Sequence, residues 1–131
     1  MSIQTQISST YEQVNLHAQI EGANAHELID LLLKNAIDRL SRIKGYIGQN
    51  NIIAKGNEIS KVISIVAELQ HNLSVADGND ISTQLASLYN YINELLIAAN
   101  MNNDIRKIEE VAYLMTHLRE SWNMIPRDER Y

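Results

Sequence analysis

The chain has 131 residues, no cysteine, and sixteen acidic against eleven basic residues, for a net charge of −5. That length makes about one domain with a core of its own, and without cysteine there is neither a disulfide nor a thiolate metal site. The acidic balance argues against a nucleic-acid partner, which calls for a basic surface, and no apolar run approaches the roughly 18 residues of a membrane span.

Residues 1–23 form a polar arm of Ser, Gln, Thr and Asn in which Ile3, Ile7, Tyr11, Val14, Leu16 and Ile20 stand singly. Those apolar residues are too sparse for a core helix, so a flexible N-terminal arm is expected. The start has neither a basic stretch nor an apolar core, unlike a signal peptide, and a cytoplasmic location is expected. A first helix is expected over 24–48, with Asn24 as its cap and Glu27 completing a capping box. Gly45, Gly48 and Gln49-Asn50-Asn51 weaken its end. The second runs over 51–74, with Gly56 awkwardly placed in its first turns. Asp77-Gly78-Asn79-Asp80 is a turn signal, after which Asp80 can cap a third helix over 80–101. Asn102-Asn103-Asp104 breaks the chain again, and Asp104 places a negative charge at the positive end of a fourth helix over 104–125. Pro126 closes that helix, leaving a charged tail, 127–131.

Each helix carries one apolar stripe in alternating steps of three and four, which keeps its members on one side. The stripes are Ile29, Leu33, Ala36, Leu40, Ile43 and Ile47; Ile59, Val62, Val66, Leu69 and Leu73; Ile81, Leu85, Leu88, Ile92, Leu95 and Ala99; and Ile108, Val111, Met115, Leu118, Trp122 and Ile125. Four such helices with short connections make an all-α, antiparallel four-helix bundle over 24–126. Leu40, Leu69, Leu88, Ile92, Leu118 and Trp122 are expected in the core, and truncating a fully buried Trp122 to Ala costs about 3–5 kcal/mol.

Catalytic chemistry is not indicated. A di-metal bundle needs two Glu-x-x-His pairs; Glu68 and His71 supply one, Leu114 stands three before His117, and His26 is read as preceding its helix. Those residues read as surface polar groups. No serine lies in a glycine-flanked elbow and no phosphate-cradling glycine loop is present, so no catalytic residue, metal or cofactor is assigned. Arg39, Arg42 and Lys44 share their helix with Asp30 and Asp38 and read as a solvated face.

The surplus is apolar: Leu28, Leu31, Leu32 and Ile37 in the first helix, Ile53, Ile63 and Ile65 in the second, and Tyr89, Tyr91, Leu96 and Ile97 in the third. Two accounts fit, a core stripe broadened by flanking positions and an exposed apolar groove for an amphipathic partner. On the second account Ile63, Tyr89, Tyr91 and Leu96 line the groove, with Ile59 and Leu95 shared with the core. Tyr11 and Val14 of the arm then serve as a reversible lid, since a tyrosine combines a flat apolar ring with a hydroxyl.

These residues resemble the flagellar export chaperones of the FliS type over roughly Tyr11 to Trp122. The likeness rests on Tyr11-x-x-Val14, on Ala25-His26-Glu27-Leu28-Ile29 at the first helix start, and on Ala54-Lys55-Gly56 followed by Ile59-Ser60-Lys61. It continues in Leu88-Tyr89-Asn90-Tyr91-Ile92, in Ala99-Asn100-Met101-Asn102-Asn103-Asp104, and in Glu109-Glu110-Val111 with Trp122. The chain departs from the family where Glu94-Leu95 replaces an Arg-Arg pair, where Ala98 replaces a glutamate, and where Lys34-Asn35 stands for the usual Tyr-Asp-Gly or Glu-Gly of the first helix. The resemblance implies a non-enzymatic cytosolic chaperone, monomeric or weakly dimeric without its client. It would hold the disordered C-terminal segment of flagellin, prevent premature polymerisation and help deliver it to the flagellar type III export gate. The rival reading is a regulatory or assembly protein that uses the same apolar surplus as an obligate oligomer.

Overall fold

The computed structural model describes residues 25–75 and 80–125, which form four helices: α1 (Ala25–Gly48), α2 (Ile52–Val75), α3 (Asp80–Asn102) and α4 (Ile105–Asn123). The arm with Tyr11 and Val14, the Asn24 cap, the Asp77–Asn79 turn and the tail lie outside the described residues. Each helix packs on two others, in the cyclic order α1, α2, α3, α4, and the diagonal pairs make no close backbone approach. With the short connections this is an up-and-down antiparallel bundle. All four helices begin and end within a few residues of the bounds read from the sequence.

The two connections at the end where α1 and α3 stop, here the upper end, share one design. Asn50 and Asn103 both take a left-handed backbone, φ 56° and 53°, a conformation asparagine tolerates better than most residues. The residue after each reaches back across the turn, with Asn51 N–H donating to Tyr46 O at 2.9 Å and Asp104 N–H to Ala99 O at 3.1 Å. Each connection is thus a Schellman-type stop. The same following residue then caps the next helix: Asn51 Oδ1 accepts from Ala54 N–H at 3.2 Å and Asp104 Oδ1 from Arg106 N–H at 3.0 Å. One dipeptide therefore closes one helix and opens its neighbour, which keeps α1 beside α2 and α3 beside α4.

The stripes meet in one core. Leu33, Ala36, Leu40 and Ile43 of α1 join Ile59, Val62, Val66 and Leu69 of α2, Ile92, Leu96 and Ala99 of α3, and Ile108, Val111 and Met115 of α4, all essentially removed from solvent. Leu88, Leu118 and Trp122, expected inside, are only partly buried and pack on the margin of the core. All three lie toward the lower end, where α1 and α3 begin and α2 and α4 stop.

Two polar expectations are corrected. Arg39 is not on a solvated face but buried, its Nη1 bridging both carboxylate oxygens of Glu58 at 3.0 and 3.2 Å while its Nε donates to Asn35 Oδ1. Glu58 is buried too and also draws Arg42 of α1 to 4.0 Å and Lys61 of its own helix to 3.7 Å, so this carboxylate on α2 ties down Arg39 and Arg42 of α1. His26 does not precede its helix but lies buried in the first turn of α1. Its ring stacks on the indole of Trp122, centroids 4.6 Å apart and planes within 11°. Trp122 Nε1 donates to His26 O at 2.8 Å. His26 Nε2 lies 2.8 Å from Trp122 O; a carbonyl only accepts, so the proton is assigned to Nε2. Beside this clasp Arg119 and Asn123 both donate to Asp30, and together they close the lower end of α1 on α4.

Candidate partner-binding face

Charge divides the surface into two sides. Among the described residues exposed on α2 and α3, Glu94 alone is charged, whereas α1 and α4 expose Glu27, Lys34, Asp38, Arg42, Arg106, Glu109, Glu110 and Glu120. The neutral side also carries exposed large apolar groups, Ile52 at 60%, Ile53 at 79%, Ile97 at 52% and Met101 at 79%. They gather toward the upper end, because α2 begins where α3 finishes. That proximity is fixed by Lys55, buried beside Ile52, whose ammonium donates to Asn100 O at 2.9 Å. A cation at the carbonyl end of a helix meets its negative pole, so the buried charge of Lys55 is satisfied by α3 itself. Ile105, the first residue of α4, adds a partly exposed apolar group at the same end. An apolar cluster of this kind, with few charges around it, is suited to a partner.

The seam between α2 and α3 can be followed residue by residue. Positions seven apart return to nearly the same face of a helix, which puts Gly56, Ile63 and Gln70 on one line of α2. At its upper end Gly56 faces Asn100, whose Oδ1 lies 3.9 Å from where a Cβ would stand. At its lower end Gln70 Nε2 donates to Asn90 Oδ1 at 2.9 Å. Ile63, between them, is half-buried in the seam.

The residues singled out from the sequence take different positions. Ile59 and Leu96 are closed inside the core, and Tyr89 and Leu95 are buried at its edge. Burial of Tyr89 pushes its phenol up to about 12 from the ordinary 10.0. Ile63 borders the α2–α3 seam, while Tyr91 turns the other way and is 43% exposed. Its hydroxyl donates to Glu110 of α4, and that hydrogen bond raises its pKa. Ile63 and Tyr91 thus lie on opposite flanks of α3, and no single groove contains all six described residues. Of the surplus, Leu32 and Ile65 belong to the core, whereas Ile53 and Ile97 face solvent. Ile52, Met101 and Ile105 were missed because they sit beside turns and outside the stripes. For Met101 the signal is charge by helix, since Asp80–Asn102 contains only Asp80 and Glu94 as charged residues.

Among the described residues the bundle thus has one side rich in exposed charge and one with little charge and an exposed apolar cluster. The chain belongs to the flagellar protein FliS family, whose model matches residues 7–129. It is 35% identical over 116 residues to the flagellar secretion chaperone FliS of Salmonella typhimurium, covering 88% of this chain and 86% of that one. To the flagellar secretion chaperone FliSB of Pseudomonas aeruginosa it is 34% identical, covering 88% and 91%. To the FliS chaperone of Vibrio cholerae it is 31% identical, covering 88% and 85%. Among the described residues no helix is long and apolar enough to cross a membrane.

Proposed function

We propose that this protein is a cytoplasmic export chaperone that holds the C-terminal segment of flagellin, keeps it from polymerising early and presents it to the flagellar export gate. The carrying observation is the α2–α3 side, where Glu94 is the one exposed charge among the described residues and Ile52, Ile53, Ile97 and Met101 are exposed. A disordered segment that orders on binding loses conformational entropy, so it needs apolar surface to offset that loss. Burying an isoleucine or methionine recovers roughly 1.5–3 kcal/mol each, and a neutral face adds no charge to desolvate. Family membership supports the reading, since the relatives are named as flagellar secretion chaperones. Ile63 and Tyr89 of the seam, and the arm's Tyr11 and Val14, remain part of the proposed client site, and Tyr91, turned toward α4, marks its far edge.

The test is calorimetric titration of the full chain with intact flagellin and with flagellin lacking its C-terminal segment. Binding is expected only to the intact protein, with little loss between low and moderate salt because few charges meet. Ile97→Glu combined with Met101→Glu should abolish it without unfolding the bundle. Equal binding of the truncated flagellin, or a steep salt dependence, overturns the proposal. A chain that assembles with itself and ignores flagellin favours the oligomer instead.

A further inference from the structure

The α2–α3 seam contains one polar group that the fold leaves unanswered. Asn93 lies one heptad before Asn100 on α3, and Ile63 one heptad after Gly56 on α2. Because the helices run antiparallel and Asn100 faces Gly56, Asn93 comes opposite Ile63. An isoleucine offers no donor. Accordingly Asn93 Oδ1 is closed off from solvent with no hydrogen-bond partner. Its neighbours along the seam are all satisfied: Asn90 by Gln70 and the carbonyl of Asn100 by Lys55. A closed-off carbonyl without a donor is costly, and leucine at this position would fit an isoleucine better. Local rules broken in this way are characteristic of positions kept for function.

We infer that Asn93 is a recognition residue, whose carboxamide oxygen accepts an N–H from the bound client segment at the middle of the α2–α3 seam. This rests on the chaperone reading above and assigns its polar anchor. Asn93 as a whole is half-buried, and rotation about its last side-chain torsion exchanges the two ends of the carboxamide with little restriction. The oxygen then turns to the seam mouth, beside Ile63 and below Ile97, where a client lies if it covers the neutral side. Apolar contacts with Ile97 and Met101 tolerate sliding along the face, whereas one directed hydrogen bond fixes the register of the segment.

The experiment measures two quantities on Asn93→Leu, Asn93→Ala and the unaltered chain: thermal unfolding of the free protein, and affinity for a synthetic peptide of the flagellin C-terminal segment. Removing the unanswered oxygen should raise the Tm of Asn93→Leu by a few degrees, about 3–6 °C, and leave that of Asn93→Ala unchanged or higher. Both variants should bind the peptide about tenfold more weakly, the loss expected for one hydrogen bond. A purely structural Asn93 gives the opposite pattern, a lower Tm with affinity intact. If the unaltered chain binds and either variant binds as well, the role of Asn93 is overturned and the chaperone reading stands. If the unaltered chain does not bind the peptide, the chaperone reading fails and takes this assignment with it, and the Tm shifts still report whether the seam strain exists.

Discussion

The clasp between His26 and Trp122 gives a quantitative test of how the lower end is closed. Trp122 is only partly buried, so its truncation to Ala should cost less than the roughly 3–5 kcal/mol of a fully buried aromatic. What is lost is one hydrogen bond, Nε1 to His26 O, worth about 1 kcal/mol, together with the stacked pair, about 0.5–1.5 kcal/mol, and some apolar burial. A total of about 2–3 kcal/mol follows. His26→Ala should cost about 2 kcal/mol, because it empties a buried site and strips the Nε2 partner from Trp122 O. The two losses are not independent. Each hydrogen bond runs from a side chain to the other residue's backbone, so both acceptors survive truncation and only the ring stack is shared. The double variant should therefore fall short of the sum by about 1 kcal/mol. Urea unfolding, with midpoint and slope fitted for all four proteins, measures this. Additivity within about 0.3 kcal/mol would refute the stack as an energetic link, and a Trp122→Ala cost under about 1 kcal/mol would refute the clasp altogether.

Other consequences follow from single sites. Gly56→Ala should stabilise the protein by about 0.5–1 kcal/mol in the same assay, since its Cβ would make only ordinary contact with Asn100. Glu58→Gln should cost about 3 kcal/mol by leaving the buried Arg39 without its counter-charge, whereas Arg39→Met with Glu58→Leu should be nearly neutral. Asp30 titrates below its usual 3.8, chiefly because Arg119 donates to it and Asn123 adds a second bond. Its contribution is therefore present above pH 3.8 and is lost as pH falls through the folded value, and acid unfolding of Asp30→Asn should lack that component. Tyr89 titrates at about 12 when folded and at 10.0 unfolded, so stability present below pH 10 is lost as pH rises toward 12. Tyr89→Phe should flatten that alkaline limb in pH-dependent unfolding.

Much of the fold was legible because alternating steps of three and four leave no other reading over twenty residues at a time, and because Asn-Asn and Asn-Asp at the upper turns are good stops and good caps at once. What misled was the assumption that charge means solvent. Arg39 sits beside exposed Arg42 and Asp38, and only its partner on another helix, Glu58, draws it inside; one helix read alone cannot show that. His26 likewise depends on Trp122, ninety-six residues away in sequence. Reading surplus apolar residues as groove residues failed in part for a similar reason. Leu96 and Ile65 are adjacent in angle to core positions, and a bundle of four closes over such flanks, while Ile97 and Ile53 lie on the far side of the same helices.

The division of charge between the two sides also explains how such a surface stays in solution. Exposed isoleucine and methionine at this density invite self-association, and the net charge of −5 opposes it. If charge were spread evenly, every face would resist aggregation equally and none would accept an apolar segment cheaply, because each approach would strip water from an ion. Placing nearly all of the described exposed charge on α1 and α4 leaves repulsion between whole molecules intact while the α2–α3 side, with Glu94 alone exposed, stays easier to desolvate. The buried cations fit the same division. Lys55 spends its charge on the end of α3 and Arg39 on Glu58, so neither reaches the neutral face.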